Sequence, residues 1–233
     1  MALNMPRVRM LIADDVGLGK TIEAGLIVTE LLARQRASDL LVICPANLRE
    51  QWQEALRYFF HIDARIISTR HRRQMEKELP AGASPWEFYP HLVTSVDYAK
   101  RPGIRNMILE RDWDLVLIDE AHLCAKPHQV AADQSIDMAR WQLAKHIHDI
   151  TRHLLLLTAT PHNGYTDSYA SLLDLLDVEA TSGPPHDPSI DREIAQKHVC
   201  QRRRKDVEEW LEAEGRESPL PERDHLEISV SLN

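Results

Sequence analysis

A chain of 233 residues with 43% hydrophobic content has enough apolar material for one large domain, or one domain plus an appendage, and it carries a formal net charge of -8. That sign counts against tight autonomous binding to a polyanion, because compact nucleic-acid modules are usually basic. Three cysteines, an odd number without a paired framework, fit a reducing compartment. With no signal-type leader and no run of membrane-spanning length, the expected location is the cytoplasm, with no membrane partner.

Along the chain, the apolar run Met10-Leu11-Ile12-Ala13 reads as a buried strand and leads into Asp14-Asp15-Val16-Gly17-Leu18-Gly19-Lys20-Thr21. Two glycines let this backbone turn sharply and expose its N–H groups. A helix over 20–36 then points its positive dipole end at whatever the loop holds. The chemistry is that of a phosphate loop, with Lys20 reaching β- and γ-phosphates and the Thr21 hydroxyl ligating Mg²⁺. Asp14 occupies the position where the pattern G-x-x-x-x-G-K-[ST] has glycine, so a strict pattern scan misses it.

Strand runs follow at 40–44, 64–67, 92–95, 114–118 and 154–158, with helical patterns at 47–60, 103–110, 135–150 and 165–177. This repeated alternation predicts an α/β fold with a mainly parallel sheet covered on both faces. Arg70, Arg72, Arg73 and Lys77 form a basic cluster best read as a solvated helix face. The stretches 80–90 and 181–188 contain Pro and Gly and read as loops or linkers. Beyond them 190–213 is expected to be helical, with Ile194, Val199, Val207, Trp210 and Leu211 as buried positions; a strictly alternating strand at 226–232 closes the chain.

The run Asp114-Leu115-Val116-Leu117-Ile118 ends directly in Asp119-Glu120, placing two carboxylates at the carboxyl edge of a buried strand, where open α/β sheets bind ligands. Asp119 would hold Mg²⁺ through its water shell, and Glu120 would orient and polarise an attacking water. An isolated Asp-Glu pair is more often a helix start. Here a phosphate loop precedes it by about a hundred residues, room for several βα units. His122, Cys124 and His128 cluster in sequence but fall short of the four ligands of structural zinc.

The strings DDVGLGKTIEAGLI, LVICPANLREQW, LVTSVDYAK, DLVLIDEAH and LLLLTATPHNG together resemble the first RecA-like lobe of a Swi/Snf-type ATPase in helicase superfamily two. Residues 15–25 most resemble bacterial members, including the RNA-polymerase-associated type and the helicase-like subunits of phage-defence systems. The motifs span 11–164, and Arg202-Arg203-Arg204-Lys205-Asp206-Val207 with Leu220-Pro221-Glu222-Arg223 is similar to the segment leading toward a second lobe. The resemblance implies a RecA-like ATP-binding lobe at 1–180 and, at 181–233, a linker, helical extension and strand.

It also implies roles for individual residues. Asp15, Val16, Gly17, Leu18, Gly19, Lys20 and Thr21 would hold ATP; Lys20, Asp119 and Glu120 would be catalytic, with Thr21 and Asp119 on Mg²⁺. Pro45, Asn47, Gln51 and Trp52 match a motif lying against a nucleic-acid backbone, although Trp52 alone reads equally well as a core residue. Thr94, Ser95 and Asp97 match a phosphate-contacting motif, the residue-level alternative being a helix cap. His122, Thr158 and Thr160 would couple hydrolysis to lobe movement.

The activity implied is Mg-ATP hydrolysis coupled to movement on double-stranded DNA. A second RecA-like lobe would supply an arginine finger, and RNA polymerase or phage-defence subunits are the candidate protein partners. No second phosphate-site motif set follows residue 164, so the chain reads as a fragment or truncated product, binding nucleotide weakly and hydrolysing it slowly by itself. An RNA helicase of the DEAH type is the alternative enzyme; those resemble Gly-Ser-Gly-Lys-Thr loops and Ser-Ala-Thr couplings, whereas this chain has Gly17-Leu18-Gly19-Lys20-Thr21 and Thr158-Ala159-Thr160. Retention of Lys20 and Glu120 argues against a third reading, a non-catalytic scaffold.

Overall fold

The structure is a computed structural model that describes residues 2–128, 135–161, 165–184 and 187–216. The alternating segment at 226–232 and the match at 220–223 lie outside the described residues. In chain order the elements are β1 (Arg9–Ile12), α1 (Lys20–Ala33), β2 (Leu40–Cys44), α2 (Arg49–Phe60), β3 (Arg65–Ile66), α3 (Thr69–Glu78), α4 (Pro85–Phe88), β4 (His91–Ser95), α5 (Val96–Ala99), α6 (Pro102–Leu109) and β5 (Trp113–Asp119). They continue with α7 (Ser135–Ile150), β6 (Thr151–Leu157), α8 (Thr166–Asp174), the β7–β8 pair (Thr181–Ser182, Ser189–Ile190), α9 (Arg192–His198), β9 (Val199–Cys200) and α10 (Arg204–Ala213).

Seven strands form one sheet in the order β3-β4-β2-β5-β6-β1-β9, with every pairing parallel. Parallel strands buried on both faces need apolar residues throughout, which is why β2 and β6 read as continuous runs. The pleat sorts those runs into two cores. Leu11, Leu41, Ile43, Val116, Ile118, Leu154 and Leu156 face one side, with Leu143 and Ile147 of α7 and Leu172 of α8. Met10, Ile12, Leu40, Val42, Leu115, Leu117, Leu155 and Leu157 face the other, with Val28 and Leu31 of α1 and Trp52 and Leu56 of α2.

Register places the functional loops together. Ile12 pairs with Leu157, and Asp119 also pairs with Leu157, so β1, β5 and β6 end level at the carboxyl edge. The chain after β1 crosses β6 and β5 to reach β2, and such a reversal of strand order opens a crevice at that edge.

The helical expectation over 190–213 needs correction. It is interrupted by β9, which pairs Leu11 with Val199 and Ile12 with Cys200, so the sheet continues past residue 180. Beyond the break Leu211 is buried as expected, while Trp210 is 57% exposed. The basic cluster at 70–77 is helix α3, started by Ser68, whose hydroxyl accepts the His71 N–H, and braced by the Arg72–Glu76 ion pair.

Candidate functional site

The loop between β1 and α1 turns through Gly17 at φ 88° and Gly19 at φ 87°, a left-handed conformation that side chains disfavour. A Cβ at either glycine would meet nothing within 4 Å, so the bare backbone itself forms the open surface. Gly19 ends the loop, and its carbonyl accepts the N–H groups of Ile22 and Glu23 as α1 begins. The Lys20 ammonium donates to the carbonyls of Asp14 at 2.7 Å and Asp15 at 3.2 Å, which holds it over the loop.

Val16, Gly17, Gly19, Lys20 and Thr21 line a cleft of about 370 Å³ with Asp119 and Glu120 from the end of β5. Leu48, Gln51, Trp52 and Ala159 complete its walls. The residues at these positions fit a nucleoside triphosphate with its divalent ion: a cation and a helix N-terminus for the phosphates, a hydroxyl and carboxylates for Mg²⁺. A larger cavity of about 990 Å³ sits at the opposite, amino edge, lined by Arg7, Arg9, His148 and His198 among others. It contains none of the residues singled out from the sequence as site candidates.

Within the cleft the carboxylates are held by specific partners. Asp119 Oδ2 accepts the indole N–H of Trp52 at 2.8 Å, and its Oδ1 accepts the Glu120 N–H at 2.9 Å. Trp52 is therefore both a core residue, 2% exposed, and the clamp on a site carboxylate; Gln51 and Trp52 face this cleft. Nothing in the local sequence around either residue signals a bond that spans 67 positions. Glu120 is also in the left-handed region, at φ 50°, a costly backbone for a residue with a Cβ.

His122 Nδ1 lies 3.2 Å from Glu120 Oε2 and 2.9 Å from the Thr158 hydroxyl, so a proton on that nitrogen serves both. Thr158 is fully buried, and its oxygen also accepts the Thr160 N–H at 3.1 Å. Glu120, His122, Thr158 and Thr160 thus connect the end of β5 to the end of β6.

The other expected contacts divide. Asn47 is exposed and Pro45 half-buried beyond the end of β2. Thr94 is fully buried, and its hydroxyl donates to the Ile67 carbonyl at 3.1 Å, so that hydroxyl is not available to a phosphate. Ser95 is 4% exposed and caps α5 by accepting the Tyr98 N–H, the helix-cap alternative. Asp97 is bound by Lys100 and Arg140, which hold its carboxyl below the usual carboxylate range.

His122, Cys124 and His128 do not converge. Burial pushes the Cys124 thiol up to about 12, and His128 bonds Asp167 while stacking on Tyr165. Among the described residues, Asp14, Glu23 and Cys200 are the group with metal-like spacing, but the Arg202 guanidinium already pairs with both carboxylates.

A model of the SNF2-related domain family matches residues 3–208. The RNA polymerase-associated protein RapA of Stutzerimonas stutzeri is 31% identical over 219 residues, covering 89% of this chain and 22% of that protein. The RapA protein of Pectobacterium carotovorum is 37% identical over 170 residues, 72% of this chain and 17% of that protein. The chain thus spans about a fifth of the length of these relatives. In structure it is similar to the Sulfolobus solfataricus SWI2/SNF2 ATPase core in complex with double-stranded DNA, with TM-score 0.63, 19% identity, and coverage of 85% of this chain and 41% of that one. The Pyrococcus furiosus Hef helicase domain has the same fold at TM-score 0.60, with 18% identity over 87% of this chain and 36% of that one.

Proposed function

The chain belongs to the SNF2-related family as an N-terminal RecA-like lobe, and on that premise we propose that it is the ATP-binding lobe of a translocase that moves on double-stranded DNA and works beside RNA polymerase. The observation that carries this reading is the single cleft in which Lys20 and Thr21 meet Asp119 and Glu120. In it Lys20 and the start of α1 bind the β- and γ-phosphates, while Thr21 and Asp119 would hold Mg²⁺, which would neutralise phosphate charge. Glu120 orients the attacking water, and Trp52 fixes the carboxylate beside it. His122, Thr158 and Thr160 pass the state of that site to the end of β6.

The DNA reading draws on a protein of similar fold whose structure is in complex with double-stranded DNA, and the polymerase reading on relatives named for that association. Pro45, Asn47 and the backbone at Thr94 and Ser95 are the proposed track for the nucleic-acid backbone. The lobe extends through β9, and α10 leads toward a second RecA-like lobe that supplies the arginine finger. The test joins this chain to a second lobe and measures ATPase activity. Stimulation by duplex DNA but not by single-stranded RNA is the expected result; selective stimulation by RNA would transfer the assignment to an RNA helicase.

A further inference from the structure

Asp14 stands where a conventional phosphate loop has glycine, yet its carboxylate is fully buried and turned away from the cleft into a set of bonds with the far end of the chain. Its Oδ1 accepts the Arg202 backbone N–H at 2.8 Å, and its Oδ2 accepts Arg202 Nε at 2.9 Å as well as Nη2. The same Nη2 reaches Glu23 of α1. Next door, the Asp15 N–H donates to the Arg202 carbonyl at 3.1 Å, and Asp15 Oδ2 accepts the Arg204 N–H at 2.9 Å. Burial and the neighbouring Asp14 raise the Cys200 thiol, which donates toward Glu23.

This arrangement differs from a surface ion pair. Guanidinium-carboxylate bonds with two nitrogens on one buried acid fix orientation as well as charge. The carbonyls of Asp14 and Asp15 are also the two that hold the Lys20 ammonium. The residues that place the lysine are thus themselves placed by Arg202 and Arg204, about 190 positions away. We propose that Arg202 is a positioning residue of the nucleotide site: its clasp on Asp14 and Glu23 sets the path of the phosphate loop and ties that loop to the segment entering α10. The proposal rests on the ATP-binding reading above.

Removing the guanidinium strands a buried carboxylate, so Arg202→Ala lowers the melting temperature as well as affinity. Pairing it with Asp14→Asn removes the stranded charge and separates the two effects. Binding of a fluorescent ATP analogue with Mg²⁺ by the 233-residue chain is measured well below each variant's melting temperature, with circular dichroism confirming the folded fraction. The expected outcome is roughly tenfold weaker binding in Arg202→Ala, with the double variant recovering melting temperature but not affinity. If affinity returns together with thermal stability, or if Arg202→Ala binds as the parent does, Arg202 is structural only and the proposal falls. Lys20→Ala serves as the reference: should it bind like the parent, the nucleotide reading itself fails, a result distinguishable from failure of the clasp alone.

Discussion

The two edges of the parallel sheet treat polar groups in opposite ways. At the amino edge, Arg9 donates to the carbonyls of His148, Thr151 and Leu175; Asp39 receives Arg111 and the Asp114 N–H; and buried His153 accepts the Val8 N–H while its other nitrogen faces the Arg36 carbonyl. These groups are paired within the fold, even where Arg9 and His148 line the amino-edge cavity. At the carboxyl edge, Gly17, Gly19 and Glu120 hold left-handed backbones, and Lys20, Thr21 and Asp119 line an open cleft. Left-handed backbone at non-glycine residues occurs at both edges, at Glu120 and at the helix ends Gln35 and His61, so what separates the edges is that open polar chemistry gathers where strand order reverses and paired networks sit opposite. Volume and open polar chemistry point to different edges, because the larger of these two cavities is at the amino end.

The sharpest way to break this contrast is to exchange the expected phenotypes. Glu120→Gln keeps nucleotide binding and lowers turnover of the two-lobed protein by about 10²–10⁴-fold, as read by steady-state ATPase assay. Arg9→Met has the reverse profile: loss of three carbonyl contacts from a half-buried cation costs roughly 2–3 kcal/mol in denaturant unfolding, with nucleotide affinity unchanged. An Arg9 variant that stays stable but loses ATP binding would erase the division between the edges.

A second amino-edge effect appears as a pH dependence. Burial lowers His153 from the ordinary 6.5 to about 4, and its contacts suit the neutral ring with the proton on Nε2. Between those values the unfolded chain binds the proton and the folded chain does not. The stabilisation is therefore complete above pH 6.5 and is lost as pH falls toward 4, a difference of roughly 3 kcal/mol. Chemical denaturation of His153→Gln across that window should show a flatter profile than the parent; equal slopes would remove His153 as the cause.

Much of the carboxyl edge was legible because its residues are local in sequence: a strand, two glycines, Lys20-Thr21, and a second strand ending in Asp119-Glu120. What escaped was long-range. The short strand β9 looked like part of a helix because Val199 fits either period, and only its pairing to Leu11 decides the matter. Trp210 was expected inside with the other apolar residues of the helical pattern over 190–213, but α10 buries Leu211 and leaves Trp210 exposed. Of the phosphate-contacting role expected of Thr94, the hydroxyl part is closed off by its bond to the Ile67 carbonyl, a partner 27 positions away, which leaves the backbone. The amino-edge network was invisible because arginine and histidine have no sequence signature for being satisfied by distant carbonyls.

Trp52 crosses the division, with its ring in the core and its N–H in the cleft. Trp52→Phe retains most of the packing and removes only the bond to Asp119. A lost hydrogen bond to a charged group is worth about 1.5–3 kcal/mol, so the expected result in the two-lobed protein is roughly ten- to a hundredfold weaker Mg²⁺-dependent turnover, with a small change in melting temperature. A change in melting temperature alone would confine Trp52 to the core.

The smallest expected effect tests how closely α1 and α2 approach beneath the cleft. A Cβ on Gly25 would lie 2.1 Å from Phe60 Cε2, so Gly25→Ala forces that ring to move. Overpacking of this kind costs about 1–3 kcal/mol, while replacing a mid-helix glycine by alanine returns about 1 kcal/mol, and the net is a loss of about 1 kcal/mol. Phe60→Ala removes the obstacle, so adding Gly25→Ala on that background should stabilise. The sign reversal in a double-mutant cycle is the signature of direct contact, because distant sites would give additive effects. Additivity would instead mean that α1 and α2 do not approach through Gly25, and that the first helix owes its placement under the phosphate loop to the sheet alone.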